Sequence, residues 1–172
     1  MEFENKEFER EVFTGMDLTN KEFNNSIFID CKFKKCNLSN VELDNARLQN
    51  VLFEDCKILG LNFTKCNELF LNVNFNNCII ELSIFSNINL TNTSFSESRI
   101  IQTDFKETNL TKSNFDDVEF IDTVFFKTNL TNSSFIGARG YEINPIHNKL
   151  KKAKFSIPDV LTLLEYFEIE IK

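Results

Sequence analysis

The stretch from Thr91 to Phe115 reads TNTSF SESRI IQTDF KETNL TKSNF, and a bulky apolar residue closes every group of five. The same beat runs outward in both directions. Upstream of a two-residue shift at Glu68-Leu69 it falls on Phe8, Phe13, Leu18, Phe23, Phe28, Phe33, Leu38, Leu43, Leu48, Phe53, Ile58 and Phe63. Downstream it falls on Phe70, Phe75, Ile80, Phe85, Leu90, Phe95, Ile100, Phe105, Leu110, Phe115, Phe120, Phe125, Leu130 and Phe135. All 26 positions are apolar, and Phe3 extends the first frame. Seventeen of the 20 Phe are thus in register; Phe126, Phe155 and Phe167 are not.

A beat of five suits neither regular element. On an α-helix each step of five turns about 140°, so the apolar residues spiral around the axis without forming a stripe. On one continuous strand, an odd spacing sends them to alternating faces. The chain must therefore turn after every few residues, each short segment sending its bulky residue inward. A second inward position supports this. Two residues before the apolar centres stand small or compact side chains, among them Ser26, Cys31, Cys36, Ala46, Cys56, Val73, Cys78, Thr103, Thr108, Ser113, Thr128 and Ala138. A spacing of two within an extended segment puts both side chains on one face. Between them lie Asn, Asp, Glu, Lys, Thr and Ser, which suit tight turns and an outer surface.

A period of twenty overlies the period of five. Asn89-Leu90-Thr91, Asn109-Leu110-Thr111 and Asn129-Leu130-Thr131 recur at that spacing, as do Phe75, Phe95, Phe115 and Phe135. Four pentapeptides then make one coil and equivalent residues stack. At the strand spacing of about 4.8 Å, some 6.5 coils give a rod of roughly 31 Å.

Units such as Cys36-Asn37-Leu38-Ser39-Asn40, Thr103-Asp104-Phe105-Lys106-Glu107 and Thr108-Asn109-Leu110-Thr111-Lys112 resemble the consensus of the pentapeptide-repeat proteins over about residues 6–140. That resemblance implies a right-handed quadrilateral β-helix; the hand comes from the family. We assign residues 1–140 to the coil and 141–172 to a C-terminal extension. Both prolines, Pro145 and Pro158, lie after residue 140. Ser156-Ile157-Pro158-Asp159 reads as a helix start with Ser as N-cap, and the helix is expected over about 157–167. Its apolar residues Val160, Leu161, Leu163, Leu164 and Phe167 cap the open coil or join a second subunit. Ile169 and Ile171 alternate with charged residues, as in a short final strand. The Lys149–Lys154 segment and the helix resemble the C-terminal extension of Qnr-like members. In Qnr and MfpA relatives such segments join two rods into a homodimer. The two-residue shift reads as a bulge between stacked subdomains or as a small projecting contact site.

Composition narrows the function. The 172 residues hold 4 Gly, 2 Pro and no Trp, where average usage gives about 12 Gly and 9 Pro. A Gly-rich phosphate loop is absent, as are GxSxG and HExxH, and His147 is the one histidine. We expect no enzyme, no metal and no cofactor. Cys31, Cys36, Cys56, Cys66 and Cys78 fill or continue the small inward position and are expected as free thiols. Met1-Glu2-Phe3-Glu4-Asn5 has no charged-then-apolar leader, and no apolar run approaches about 20 residues, so the expectation is a cytoplasmic protein off the membrane. Net charge is −7; residues 1–140 carry 21 acids and 14 bases, residues 141–172 five of each. An acidic rod argues against direct nucleic-acid binding.

Qnr and MfpA relatives bind type II topoisomerases such as DNA gyrase, with an acidic rod standing in for duplex DNA. The resemblance implies a gyrase or topoisomerase IV partner here and altered quinolone sensitivity. The candidate acidic face is Glu97, Asp104, Glu107, Asp116, Asp117, Glu119 and Asp122. Duplex DNA carries roughly 18 charges over 31 Å, against a net 7 here, so mimicry needs one concentrated face. The long inserted loops of many Qnr proteins are missing. The alternative is a structural or interaction scaffold with another partner.

Overall fold

The computed structural model describes residues 1–167, 169 and 170. It is a parallel, right-handed β-solenoid of about seven turns. Each coil has four short faces, and every strand pairing is parallel. The first face stacks β1 (Glu7–Glu9), β3 (Ile27–Ile29) and β5 (Arg47–Gln49). It continues as single bridges from Asn89 to Asn109, Asn129 and Lys149. The second stacks β2 (Val12–Thr14), β4 (Lys32–Lys34), β6 (Val51–Glu54) and β8 (Val73–Asn76). The third stacks β7 (Lys57–Leu59), β9 (Ile79–Glu81), β10 (Arg99–Ile101) and β11 (Glu119–Ile121). The fourth is held by bridges alone, through Asn62, Ile84, Asp104 and Val124.

The interior is the five-residue beat made solid. On the second face Phe33, Phe53, Phe75, Phe95 and Phe115 stack with ring centroids 5.0–5.2 Å apart and planes within 14°. On the fourth, Phe63, Phe85, Phe105 and Phe125 form a second column. Rings of adjacent columns meet edge to face, as Phe85 and Phe95 do at 5.8 Å. Offset stacks and edge contacts are the favoured aromatic geometries and add about 0.5–1.5 kcal/mol per pair to the area term. From Ser26 to Ala138 the small inward residues are buried, and the polar ones other than Thr93 are hydrogen-bonded through their side chains: Thr108 Oγ1 donates to the Phe85 carbonyl at 2.6 Å and Ser113 Oγ to that of Leu90 at 2.8 Å. All five cysteines are free and buried. Cys36, Cys56 and Cys78 stack along the third face, each thiol donating to a carbonyl of the preceding coil at 3.3–3.4 Å.

Away from the insertion, where Lys65 and Asn72 depart from the pattern, the corner residue two after an apolar centre adopts the left-handed conformation, from Asn5 through Asn40, Asn92 and Asp117 to Lys152. This explains the Asn and Asp content of the turns, since those side chains tolerate positive φ best after Gly.

Four expectations need correction. Phe70, assigned to the interior by the beat, is 38% exposed. The insertion forms a 3-10 turn, Glu68–Phe70, that swings the ring outward over Arg47, with the guanidinium carbon 4.9 Å from the ring centroid. Leu71 packs against the core in its place. Register across the insertion is 22, Phe53 pairing with Phe75, and is 20 again between β9 and β10. Secondly, the ladder does not stop at residue 140. Phe125 pairs with Ile143, Asn129 with Lys149, and β12 (Ser134–Phe135) with β13 (Lys154–Phe155). Phe155 stacks on Phe135 at 5.0 Å. In that last coil Gly140 and Pro145 occupy the beat, and Tyr141 and Ile143 are buried instead. Thirdly, the C-terminal helix is a 3-10 helix over Asp159–Phe167. Ser156 is no side-chain cap: its Oγ accepts from the Gly137 N–H at 3.0 Å, and its carbonyl accepts from Val160. Lastly, Ile169 and Glu170 are irregular, while Ile171 of the expected strand lies outside the described residues.

Candidate partner-binding surface

With four faces per coil, the side on which a residue stands depends on its place within the twenty-residue period. Glu97 and Asp117 share the corner between the second and third faces, the Glu97 N–H donating to the Asp116 carbonyl at 3.0 Å. Asp55 stands on the same corner, separated by Asn77, whose Nδ2 donates to Asp55 Oδ1 at 2.7 Å. Asp116 lies beside it on the second face, accepting from Ser134 Oγ at 2.6 Å and from the Ile136 N–H at 3.0 Å.

The other candidates are elsewhere. Glu119 lies on the third face between Arg99 at 2.7 Å and Arg139 at 3.5 Å. The Arg99 hydrogen bond holds its carboxyl below the usual carboxylate range, with Arg139 adding to the effect. Asp122 is on the corner between the third and fourth faces. Asp104 is on the fourth face, 3.3 Å from Lys106. Glu107 is one corner further round, 3.3 Å from Lys127. The seven acids therefore divide among three faces and three corners. The group that coheres is Glu97, Asp116 and Asp117, extended by Asp55. Among the described residues, Glu97 and Asp117 form no ion pair.

A denser acidic array lies nearer the N-terminus, on the fourth face. Glu22 and Glu42 pair across coils, and Asp44 follows two residues on. Glu2 and Glu4 occupy the same register one coil earlier. Counted over all four faces, residues 1–25 hold seven acids and three bases, a net −4 of the chain's −7; within the array Asp44 is paired with Lys65 at 3.5 Å. The twenty-residue spacing of Glu2, Glu22 and Glu42 was the signal for it. By contrast Glu54 on the second face is neutralised by Lys32 and Lys34, whose hydrogen bonds bring its carboxyl down to about 2.

At the other end, the 3-10 helix places every third residue on one stripe. Leu163 is buried against the coil end, and Val160 packs on the same core. On the neighbouring stripe Leu164 is half-buried, whereas Leu161 is 42% and Phe167 50% exposed. One stripe thus caps the solenoid and the next leaves apolar surface in solvent. His147 is exposed, its ring 5.5 Å from that of Phe126. Among the described residues no helix is long and apolar enough to cross a membrane.

Comparison with solved structures gives the same fold over nearly the whole length. A trypsin-treated variant of QnrB1, a plasmid-mediated fluoroquinolone resistance protein, superposes with a TM-score of 0.62 at 19% identity, over 99% of this chain and 92% of that one. Full-length QnrB1 gives a TM-score of 0.61 at 18% identity, over 97% and 92%. No curated protein sequence matches. The family model described as "Pentapeptide repeat region" matches residues 6–68 and 69–155, spanning the coils on both sides of the insertion and running past residue 140 as the ladder does. The chain belongs to the pentapeptide-repeat family.

Proposed function

We propose that the chain is a non-enzymatic binding protein of the bacterial cytoplasm whose partner is a type II topoisomerase, DNA gyrase or topoisomerase IV, and that it alters fluoroquinolone sensitivity by occupying that enzyme. The observation that carries this reading is the end-to-end match to QnrB1, which covers the C-terminal extension as well as the coils. The contact surface in this reading is the corner of Asp55, Glu97 and Asp117 with Asp116 alongside, where carboxylates repeat along the axis as phosphates do along a duplex.

Two rods join through the stripe of Leu161, Leu164 and Phe167, which places apolar surface against apolar surface. Light scattering on wild type and on Leu161→Asp/Phe167→Asp tests this: a dimer that becomes a monomer supports it, and a wild-type monomer leaves the helix as a cap alone.

A second reading, an interaction scaffold with a different partner, is favoured by the scatter of the acids and by the Arg99, Lys106 and Lys127 partners that neutralise three of them. A gyrase supercoiling assay with added protein, with and without a fluoroquinolone, decides. Inhibition, or relief of drug inhibition, at micromolar protein supports the topoisomerase reading. No effect in either arm leaves the scaffold.

A further inference from the structure

The third face carries a column of sulfur. Met16, Cys36, Cys56 and Cys78 stand one to a coil, in register through the pairings of Asp17 with Asn37, Asn37 with Lys57 and Lys57 with Ile79. The chain has 5 Cys and 2 Met, so most of its sulfur lies in this one line. Cys36, Cys56 and Cys78 are buried free thiols, and Met16 packs against the same core. Each thiol makes the same two contacts, with the carbonyl two residues before it and with a Phe carbonyl of the preceding coil, all at 3.3–3.4 Å. Like contacts in successive coils relate the sulfurs by the coil-to-coil rise, about 4.8 Å. The Cys36 N–H donates to Cys56 Sγ at 3.4 Å. A cleft of about 370 Å³ opens on the column; Cys56, Cys78, Lys57 and Arg99 are among the residues that line it.

We propose that Cys56 and Cys78 bind a soft univalent cation, copper(I) or silver(I), in line between their two sulfurs. Cys36 and Met16 continue the column as further soft ligands. Spacing selects this chemistry. Metal–sulfur bonds of about 2.3 Å on opposite sides of one ion put the sulfurs about 4.6 Å apart, close to the rise of a coil. A disulfide needs Cβ atoms about 3.5–4.5 Å apart, and side chains stacked in parallel keep theirs at the rise. Zinc takes four ligands arranged around it, which a single file of sulfurs does not offer. Calcium and magnesium take oxygen, whereas thiolates and thioethers select copper(I). Binding forms two metal–sulfur bonds, breaks two S–H bonds and releases two protons to solvent; no electron is transferred. The filled pair carries one negative charge, which the Cys36 N–H offsets at Cys56 Sγ and Lys57 and Arg99 offset from the cleft. This departs from the expectation of no metal. A search for His clusters and closely paired Cys misses ligands one whole coil apart. The site rests on the coil stack and not on the topoisomerase reading.

The test loads the reduced, full-length protein with silver nitrate in chloride-free buffer and challenges it with about 1 mM glutathione. Two sulfurs held in place by the fold hold the ion against a free thiol that offers one at a time. Native mass spectrometry is expected to show silver retained on the folded chain, and X-ray absorption at the silver edge to show two sulfur neighbours. Cys31→Ser/Cys66→Ser, which removes the thiols outside the column, should retain the ion as wild type does. Cys56→Ser and Cys78→Ser should each lower retention at least tenfold, with circular dichroism spectra like that of wild type. Stripping of the wild-type protein by glutathione would overturn the proposal without recourse to any variant. So would three or more sulfur neighbours, equal retention in Cys56→Ser or Cys78→Ser, or loss of the ion in Cys31→Ser/Cys66→Ser.

Discussion

Phe70 and Phe95 sit on the same five-residue beat, yet their replacement by Ala should have very different consequences. Phe95 is fully buried and stacks between Phe75 and Phe115, both at 5.0 Å, with edge contacts to Phe85 at 5.8 Å and Phe105 at 5.6 Å. Core Phe→Ala substitutions cost about 3–5 kcal/mol. With four ring partners lost and little room for a column of stacked rings to collapse, Phe95→Ala belongs at the upper end, about 4–5 kcal/mol. Phe70 is 38% exposed and its specific contact is the Arg47 guanidinium at 4.9 Å. An exposed cation–π contact contributes about 0.5–1 kcal/mol, so Phe70→Ala should cost about 1 kcal/mol. The assay is guanidinium denaturation followed by far-ultraviolet circular dichroism, with thermal melts alongside. For a chain of this size each kcal/mol moves Tm by about 2–4 °C, so Phe95→Ala should melt roughly 10–15 °C lower and Phe70→Ala within about 4 °C of wild type. Equal losses for the two variants, or a loss below about 1.5 kcal/mol for Phe95→Ala, would refute the account of the interior and of the insertion.

Three further outcomes follow from single residues. Gly140 has φ +74, and a Cβ there would stand 2.3 Å from the Phe120 carbonyl oxygen, so Gly140→Ala should destabilise by more than about 2 kcal/mol, whereas Gly15→Asn, at an open corner with φ +65, should be near neutral in the same melts. Leu82 is an apolar residue in a left-handed corner, φ 50 and 52% exposed, so Leu82→Asn should raise stability by about 0.5–1 kcal/mol. Glu54 is held at about 2 by Lys32 and Lys34 against an ordinary 4.5. A depressed carboxyl stabilises above its unfolded value and loses that contribution as pH falls through the folded one. Denaturation midpoints should therefore drop between pH 5 and pH 2, and Glu54→Gln should flatten that slope.

The interior was legible because each rung meets the same surroundings: a Phe, Leu or Ile at every fifth place admits one solution, and the stacked columns follow. The insertion was not, because Leu69, Phe70 and Leu71 are all apolar and the pattern alone cannot choose among them. The choice is made by the 3-10 turn and by Arg47 on the preceding coil, a neighbour in space only. The last coil was hidden in a similar way. Gly140 and Pro145 stand where the beat asks for bulky side chains, and Tyr141 and Ile143 fill the space from neighbouring positions, so the run of apolar fifth residues is broken before Phe155, which nonetheless lies twenty residues after Phe135 and pairs with it. Charge was legible one column at a time. Glu97 and Asp117 stack because they differ by twenty; Asp104 and Glu107, close to them in the chain, face other directions because a corner intervenes every five residues.

The central claim, that the rod occupies a topoisomerase in place of DNA, is tested most directly by equilibrium binding of the purified protein to DNA gyrase in the presence of increasing linear duplex DNA. The account predicts saturable binding at micromolar protein that duplex DNA displaces and that Glu97→Gln/Asp117→Asn weakens. Absence of binding, or binding that DNA does not displace, would contradict it.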